Sequence, residues 1–109
     1  MNIFPLADLL ASQRAGAEPW VEFLSVPDLT LGLYVLGAGA VDDQEPHTED
    51  EVYVVLAGRS RFTAGDETRD VGPGDTIHVP AGTPHRYHDI TEELRIIYLF
   101  APQEGTRAG

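Results

Sequence analysis

The chain is 109 residues long, has no cysteine and no lysine, and carries 18 acidic residues against 7 arginines, a formal net charge of −11. That length suits one domain, which can bury roughly 65% of its unfolded surface without staples. Disulfides, thiolate metal sites and cysteine nucleophiles are excluded, and so acidic a surface disfavours nucleic acid and anionic lipid as partners.

The first residues, Met1 to Asp8, lack the basic region and sustained apolar run of a secretory signal. No stretch approaches the length needed to span a bilayer, so the expectation is a cytoplasmic protein with no membrane partner. Residues 5 to 13 carry Leu6, Leu9 and Leu10 at helical spacing behind Pro5, which predicts a short helix laid across the body. Residues 1–18 then form a helix and arm, 19–101 a β-barrel domain and 102–109 a tail. Trp20 to Val26 alternates apolar and polar residues until Pro27-Asp28 breaks it, and Thr30 to Leu36 is apolar. From Val52 the pattern is regular, with runs at Val52–Ala57, Ser60–Ala64, Thr68–Val71, Thr76–Pro80, His85–Ile90 and Leu94–Phe100. Each run is rich in Val, Ile, Tyr or Phe, and Gly, Pro or Asp bounds it. About eight short strands with almost no helix between them predict an all-β antiparallel sandwich or barrel. The tail from Pro102 has no periodicity and is expected to fray.

Two segments carry the chemistry. One runs Glu45-Pro46-His47-Thr48-Glu49-Asp50-Glu51 and closes at Gly58; the other runs from Gly74-Asp75 through Pro80-Ala81-Gly82-Thr83-Pro84-His85. Two histidines and a glutamate on strand-like stretches, bracketed by turn residues, suggest side chains aimed at one point, as in a metal site. Six acids crowd into residues 42–51. A charge run ordinarily marks a solvated loop, and that reading is applied to Asp42, Asp43, Glu49 and Asp50 but not to Glu51. Strand parity puts Glu45 on the side of His47, and puts Tyr53 and Val55 on the side of Glu51. Gly58 is expected to end its strand in a tight hairpin. Tyr87 and Asp89 share the parity of His85, whereas His88 points away.

These spacings resemble the two motifs of the cupin superfamily, Gly-x5-His-x-His-x3/4-Glu-x6-Gly and Gly-x5-Pro-x-Gly-x2-His-x3-Asn. The second fits at Gly74, Pro80, Gly82 and His85, with Asp89 where Asn is usual; the first fits at Gly39, His47, Glu51 and Gly58, with Glu45 in place of the first histidine. The resemblance covers roughly residues 30–100 and implies a cupin-type jelly-roll β-barrel. It implies His47, Glu51 and His85 as ligands of one divalent transition metal, a set that suits Fe and also serves Zn, Mn or Ni. Metal-free members of the superfamily supply the alternative, in which the three are structural polar residues. Glu45 is open between a fourth ligand, a partner orienting a ligand, and an unengaged loop acid; its shared parity with His47 favours a ligand or near-ligand.

Tyr53 and Tyr87 are candidates to line a substrate pocket, with plain core as the competing reading. His78, between Ile77 and Val79, reads first as a partly buried histidine with a backbone partner and second as a pocket residue. Tyr98 and Phe100 on the last strand could border the mouth, with Tyr98 as a proton donor; Glu45, if unbound, could also move protons. Arg61, Arg86 and Arg95 could hold a carboxylate, or simply offset the acidic surface. The resulting expectation is a small metalloenzyme acting on an organic small molecule, by dioxygenase, isomerase, lyase or cyclase chemistry. The alternative is a non-catalytic module that binds or senses a small molecule or metal. Fold alone does not choose. A homodimer is expected from the resemblance, with Trp20, Phe23 and Leu24 as candidate contacts.

Overall fold

A computed structural model describes residues 1–107. Helix α1 (Leu6–Ala15) is followed by β1 (Trp20–Val26), β2 (Leu29–Leu36), β3 (Asp50–Ala64), β4 (Glu67–Val71), β5 (Thr76–Val79) and β6 (His85–Ala101). The strands join antiparallel in the order β1-β2-β6-β3-β4, and β5 pairs with β3 beside Glu51 to Val54. The sheet rolls into a jelly-roll β-barrel around Tyr53, Val55, Phe62, Tyr87, Leu94, Ile96, Tyr98 and Phe100, all buried.

The roll depends on two long bent strands where sequence patterning predicted four short ones. Val52–Ala57 and Ser60–Ala64 are halves of β3, and His85–Ile90 and Leu94–Phe100 are halves of β6. In β3 the buried residues are Glu51, Tyr53 and Val55 before the break and Gly58, Ser60 and Phe62 after it, so the inward parity switches once. The pairing with β6 slips register between Val55 and Arg61, the signature of β-bulges that bend a strand and increase its twist. Gly58 therefore does not close a hairpin: it sits at φ 94° in the bulge, where a Cβ would overlap the Glu93 carbonyl. Across the barrel, β6 switches parity at Asp89, whose φ of 49° lies in the left-handed region that Asn and Asp tolerate best among residues with a Cβ. The Asn or Asp of the second motif is thus explained by backbone conformation.

Helix α1 packs Leu9 and Leu10 on the outer face of the sheet against Leu33, with Val21, Phe23, Val35 and Ile97 around them. The Phe23 ring also meets Phe4 at 4.9 Å, so its own chain already covers it and it offers little to a partner. The described part of the tail is docked, against the expectation of fraying: Gln103 Nε2 donates to Ser25 Oγ and the Glu104 N–H to Thr30 Oγ1. The Gly105 and Arg107 N–H groups both donate to Glu49. The last two tail residues, 108–109, lie outside the described part. No helix among the described residues is long and apolar enough to cross a membrane.

Candidate metal centre

Glu51 opens the inward face of β3, and His85 opens β6 directly after the turn at residues 80–84. His47 comes from the loop between β2 and β3. Backbone contacts stitch that loop to the turn: the Gly82 N–H donates to the His47 carbonyl at 2.7 Å, and the Ala81 N–H donates to Asp50 Oδ1 at 3.0 Å. Asp50 is therefore a structural clamp, and the Ala81 N–H, followed by His78, holds its carboxyl below the ordinary value of 3.8. Gly82 sits at φ 77°, a conformation the turn requires and a side chain would strain.

These connections bring one donor atom from each of His47, Glu51 and His85 within 4.8 Å of one another. His85 Nε2 stands 3.0 Å from Glu51 Oε1, and His47 Nε2 stands 3.9 Å from the same oxygen. The His85 and Glu51 side chains are 1% and 3% exposed. His85 Nδ1 lies 2.7 Å from the Thr83 carbonyl, which can only accept, so the neutral ring keeps its proton there and turns a bare Nε2 toward the cluster. Burial pulls the His85 pKa down, but the Glu51 carboxylate and the Thr83 carbonyl reverse this and hold it above 6.5. Glu51 Oε1 is buried with no hydrogen-bond partner; His85 Nε2 is near enough for an ion pair but not aligned as a hydrogen bond.

An orphaned buried carboxylate oxygen is costly in a folded protein. Two imidazole nitrogens beside it complete the two-histidine, one-carboxylate set that borderline divalent metals take with open positions. The residues present fit such an ion.

Behind the cluster runs a chain of polar contacts. Tyr53 Oη lies 3.1 Å from His85 Nε2 and donates to Gln44 Oε1 at 3.0 Å; Gln44 Nε2 donates to Asp42 Oδ2 at 2.7 Å. Asp42 further accepts from the Tyr34 hydroxyl at 2.9 Å and from the Tyr87 N–H at 2.8 Å. Asp42 is 4% exposed and Glu49 2% exposed, so neither is the solvated acid its place in a charge run suggested. Glu49 is covered by the docked tail rather than set deep in the core. Its burial pushes the carboxyl pKa up, yet the Thr48 hydroxyl and the Gly105 and Arg107 N–H groups together hold it below 4.5.

A cavity of about 390 Å³ opens in front of the cluster. His47, Glu51, Tyr98, Phe100, Gln44, Tyr34 and Trp20 are among the residues that line it. The His47 ring packs on Phe100 at 4.4 Å and Phe100 on Tyr98 at 5.6 Å. The Tyr98 ring lies across β2 where Gly32 has no side chain; a Cβ there would overlap the ring. Burial, with the negative charge of Glu104, Glu22 and Glu51, pushes the Tyr98 hydroxyl well above its ordinary 10.0, so it holds its proton.

Several expected site residues stand elsewhere. Glu45 is exposed and outside the cluster, because residues 37–49 form no strand and period-two parity does not apply to them. Gln44 takes the inward place instead. His78 faces outward with its side chain 56% exposed and pairs with Asp50 at 3.1 Å, away from the cavity. Tyr87 is wholly buried core, with rings of Tyr53 and Phe62 against it. Tyr53 is also wholly buried and reaches the cluster only through its hydroxyl. Trp20, Glu22, Tyr34 and Glu104 border the cavity without any local sequence signal, because β1, β2 and the tail reach it only through the fold.

Barrel, motif spacing and a His–Glu–His cluster whose donor atoms could hold a metal together define a small jelly-roll β-barrel protein. The Cupin domain family model matches residues 32–101, and the chain belongs to that family. It is 42% identical over 104 residues to an uncharacterized protein of Streptomyces coelicolor, covering 95% of this chain and 99% of that one. The structure of KdgF from Halomonas sp. superposes with a TM-score of 0.73 at 26% identity, over 83% of this chain and 86% of that one. Dimethylsulfoniopropionate lyase DddQ of Ruegeria pomeroyi is 37% identical over 59 residues, 51% of this chain but 29% of that protein. Its crystal structure gives a TM-score of 0.65 over 70% of this chain and 39% of that one.

Proposed function

We propose that this cupin is a metal-dependent enzyme of the lyase or isomerase type, acting by proton transfer on a small organic molecule in the cavity before His47, Glu51 and His85. The observation that carries the reading is the buried, unpartnered Glu51 Oε1 facing two imidazoles at the inner end of that cavity. A divalent transition metal held by the three residues would supply Lewis acidity toward a carbonyl or carboxylate oxygen of the substrate. Thr83 fixes the His85 ring so that Nε2 is the ligating atom. Tyr98 keeps its proton at neutral pH, so its hydroxyl is a hydrogen-bond donor for a developing anion in the cavity, and Phe100 packs on the His47 ring. A lyase activity is what the name of DddQ prints for a protein sharing part of this domain. The competing reading, a binding module without turnover, fits less well because the cavity wall carries acid–base groups as well as apolar surface. A cytoplasmic homodimer accompanies the proposal; pairing would cover exposed apolar side chains such as Val26 and Leu56.

The test begins with protein purified without an affinity tag. About one transition metal per chain is expected by elemental analysis, and His85→Ala should abolish it. Metal-loaded protein in deuterated water should then exchange carbon-bound protons of some member of a panel of small carbonyl and carboxylate compounds, read by NMR. Full metal occupancy in His85→Ala would refute the ligand assignment. Stoichiometric metal with no exchange across the panel would refute the proton-transfer chemistry and leave the binding module.

A further inference from the structure

The cavity is acidic from rim to floor. Among its lining residues Glu18, Glu22, Asp43, Glu51 and Glu104 carry carboxylates, and no arginine lines it; His47 is the sole lining group that could become cationic. A divalent ion at the cluster would offset Glu51 and leave one positive charge against the four rim carboxylates, so the cavity stays net negative. Their placement is not that of a generic acidic surface. Glu22 pairs with Gly32 on β2, and Gly32 pairs with Tyr98 on β6, so the Tyr98 ring lies over the bare glycine toward Glu22. Glu104 approaches from the tail, held where its N–H donates to Thr30 Oγ1, two residues from Gly32 along β2. Glu22 and Glu104 thus line the same cavity as the Tyr98 ring, together with Trp20 and Phe100. The same cavity is also lined by Glu51, whose Oε1 is buried without a hydrogen-bond partner, so a ligand entering past the rim has a polar group to reach.

Carboxylates around exposed aromatic faces recognise organic cations, because ring quadrupole and negative charge attract the same ligand. We propose that the substrate of this site carries an ammonium-type cationic group, seated between Glu22, Glu104, Trp20 and the Tyr98 ring while its other end reaches His47, Glu51 and His85. This rests on the metal-centre reading for which end reacts, but not for which end is recognised. A substrate that is simply anionic would meet four like charges on entry. One whose anionic end goes to the metal needs the cationic end to offset the rim.

Trp20 is the single tryptophan of the chain, so its indole N–H gives one unambiguous resonance at the cavity wall. Nitrogen-labelled protein is titrated with n-butylammonium, n-butanol and butyrate at physiological ionic strength, where a Debye length of about 8 Å suppresses remote charges. Zinc-loaded and metal-stripped protein are compared for the first two probes, and butyrate is added to metal-stripped protein only. The expected result in both forms is a Kd for butylammonium at least tenfold below that for butanol, with butyrate not bound. Glu22→Gln with Glu104→Gln should erase that preference. Glu67→Gln with Asp70→Asn, which removes the same charge from the surface that carries β4, should leave it intact. Equal affinity for amine and alcohol, preference for butyrate, or equal losses in the two double variants would each overturn the proposal. Because the metal-stripped arm needs no ion, a protein that binds no zinc can still pass this test, and one that binds zinc can fail it.

Discussion

Replacing Glu49 by Gln removes one charge and no bulk, and it tests whether a buried acid holds the tail over the cavity. Glu49 Oε1 accepts from the Gly105 N–H at 2.9 Å, and Oε2 accepts from the Arg107 N–H at 3.1 Å and from the Thr48 hydroxyl. Hydrogen bonds to a charged acceptor contribute about 1.5–3 kcal/mol each. The full sum is not expected, because the released amides would rehydrate once the tail lifts. Glutamine keeps one carbonyl oxygen for one amide and turns an NH₂ toward the other donors. The expected cost is about 1.5 kcal/mol, near the lower bound for a single charged bond, or a fall in Tm of about 6 °C for a domain of this size. The pH dependence follows from the direction of the shift. The folded-state carboxyl lies below its ordinary 4.5, so the wild-type advantage is complete above that value. It declines as pH falls below it and is lost once pH has passed through the folded value. Urea denaturation of both proteins, at about pH 7 and then stepwise into acid, measures this. A difference under about 0.5 kcal/mol at neutral pH, or one that does not shrink on acidification, would refute the clasp.

Two further predictions concern the bends that roll the sheet. Gly58→Ala should cost about 3 kcal/mol, combining left-handed backbone strain with an overlap on the Glu93 carbonyl that neither strand can relieve; denaturant unfolding at a cost under 1 kcal/mol would show that the bulge can relax. Asp89→Asn should be close to neutral, since asparagine tolerates φ 49° and retains an acceptor for His88 Nδ1. Asp89→Val should lose about 1–2 kcal/mol, and equal stability of the two variants by urea denaturation would remove the backbone explanation for that motif position.

The placements legible in the sequence are those imposed by local geometry. Gly82 and the prolines around it make a turn no other residues would make as readily, and His85 follows that turn by chain connectivity. Glu51 lies in a true strand, so its period-two face could be read. Glu45 shows where the same logic stops: parity is a property of extended strands, and the residue lies in a loop whose path is set by the Gly82–His47 and Ala81–Asp50 contacts. Hydrophobic patterning divided β3 and β6 in two because it registers a parity switch as an end, whereas a bulge switches parity and continues the strand. Asp42 and Glu49 were hidden by composition. An acid within a charge run looks solvated until the fold brings Tyr34, Tyr87, Gly105 and Arg107 to it from far along the chain.

The cluster and the rim of the cavity are therefore built by different means, and this has a consequence for specificity. His47, Glu51 and His85 sit on segments cross-linked by backbone hydrogen bonds and by turns that admit few substitutions, so their mutual distances are held tightly. Glu22, Trp20 and Glu104 come from the sheet's edge strand and from a tail held by the Glu49 clasp and the Gln103 and Thr30 contacts, where side chains can change without disturbing the barrel core. A change of rim charge should then alter which molecule enters while His47, Glu51 and His85 stay in place. Loosening the Glu49 clasp should act in the same way, lowering affinity at the rim by freeing Glu104 while leaving His47, Glu51 and His85 together. That separation would let rim and cluster change independently, as the grafting of different sites on one fold requires.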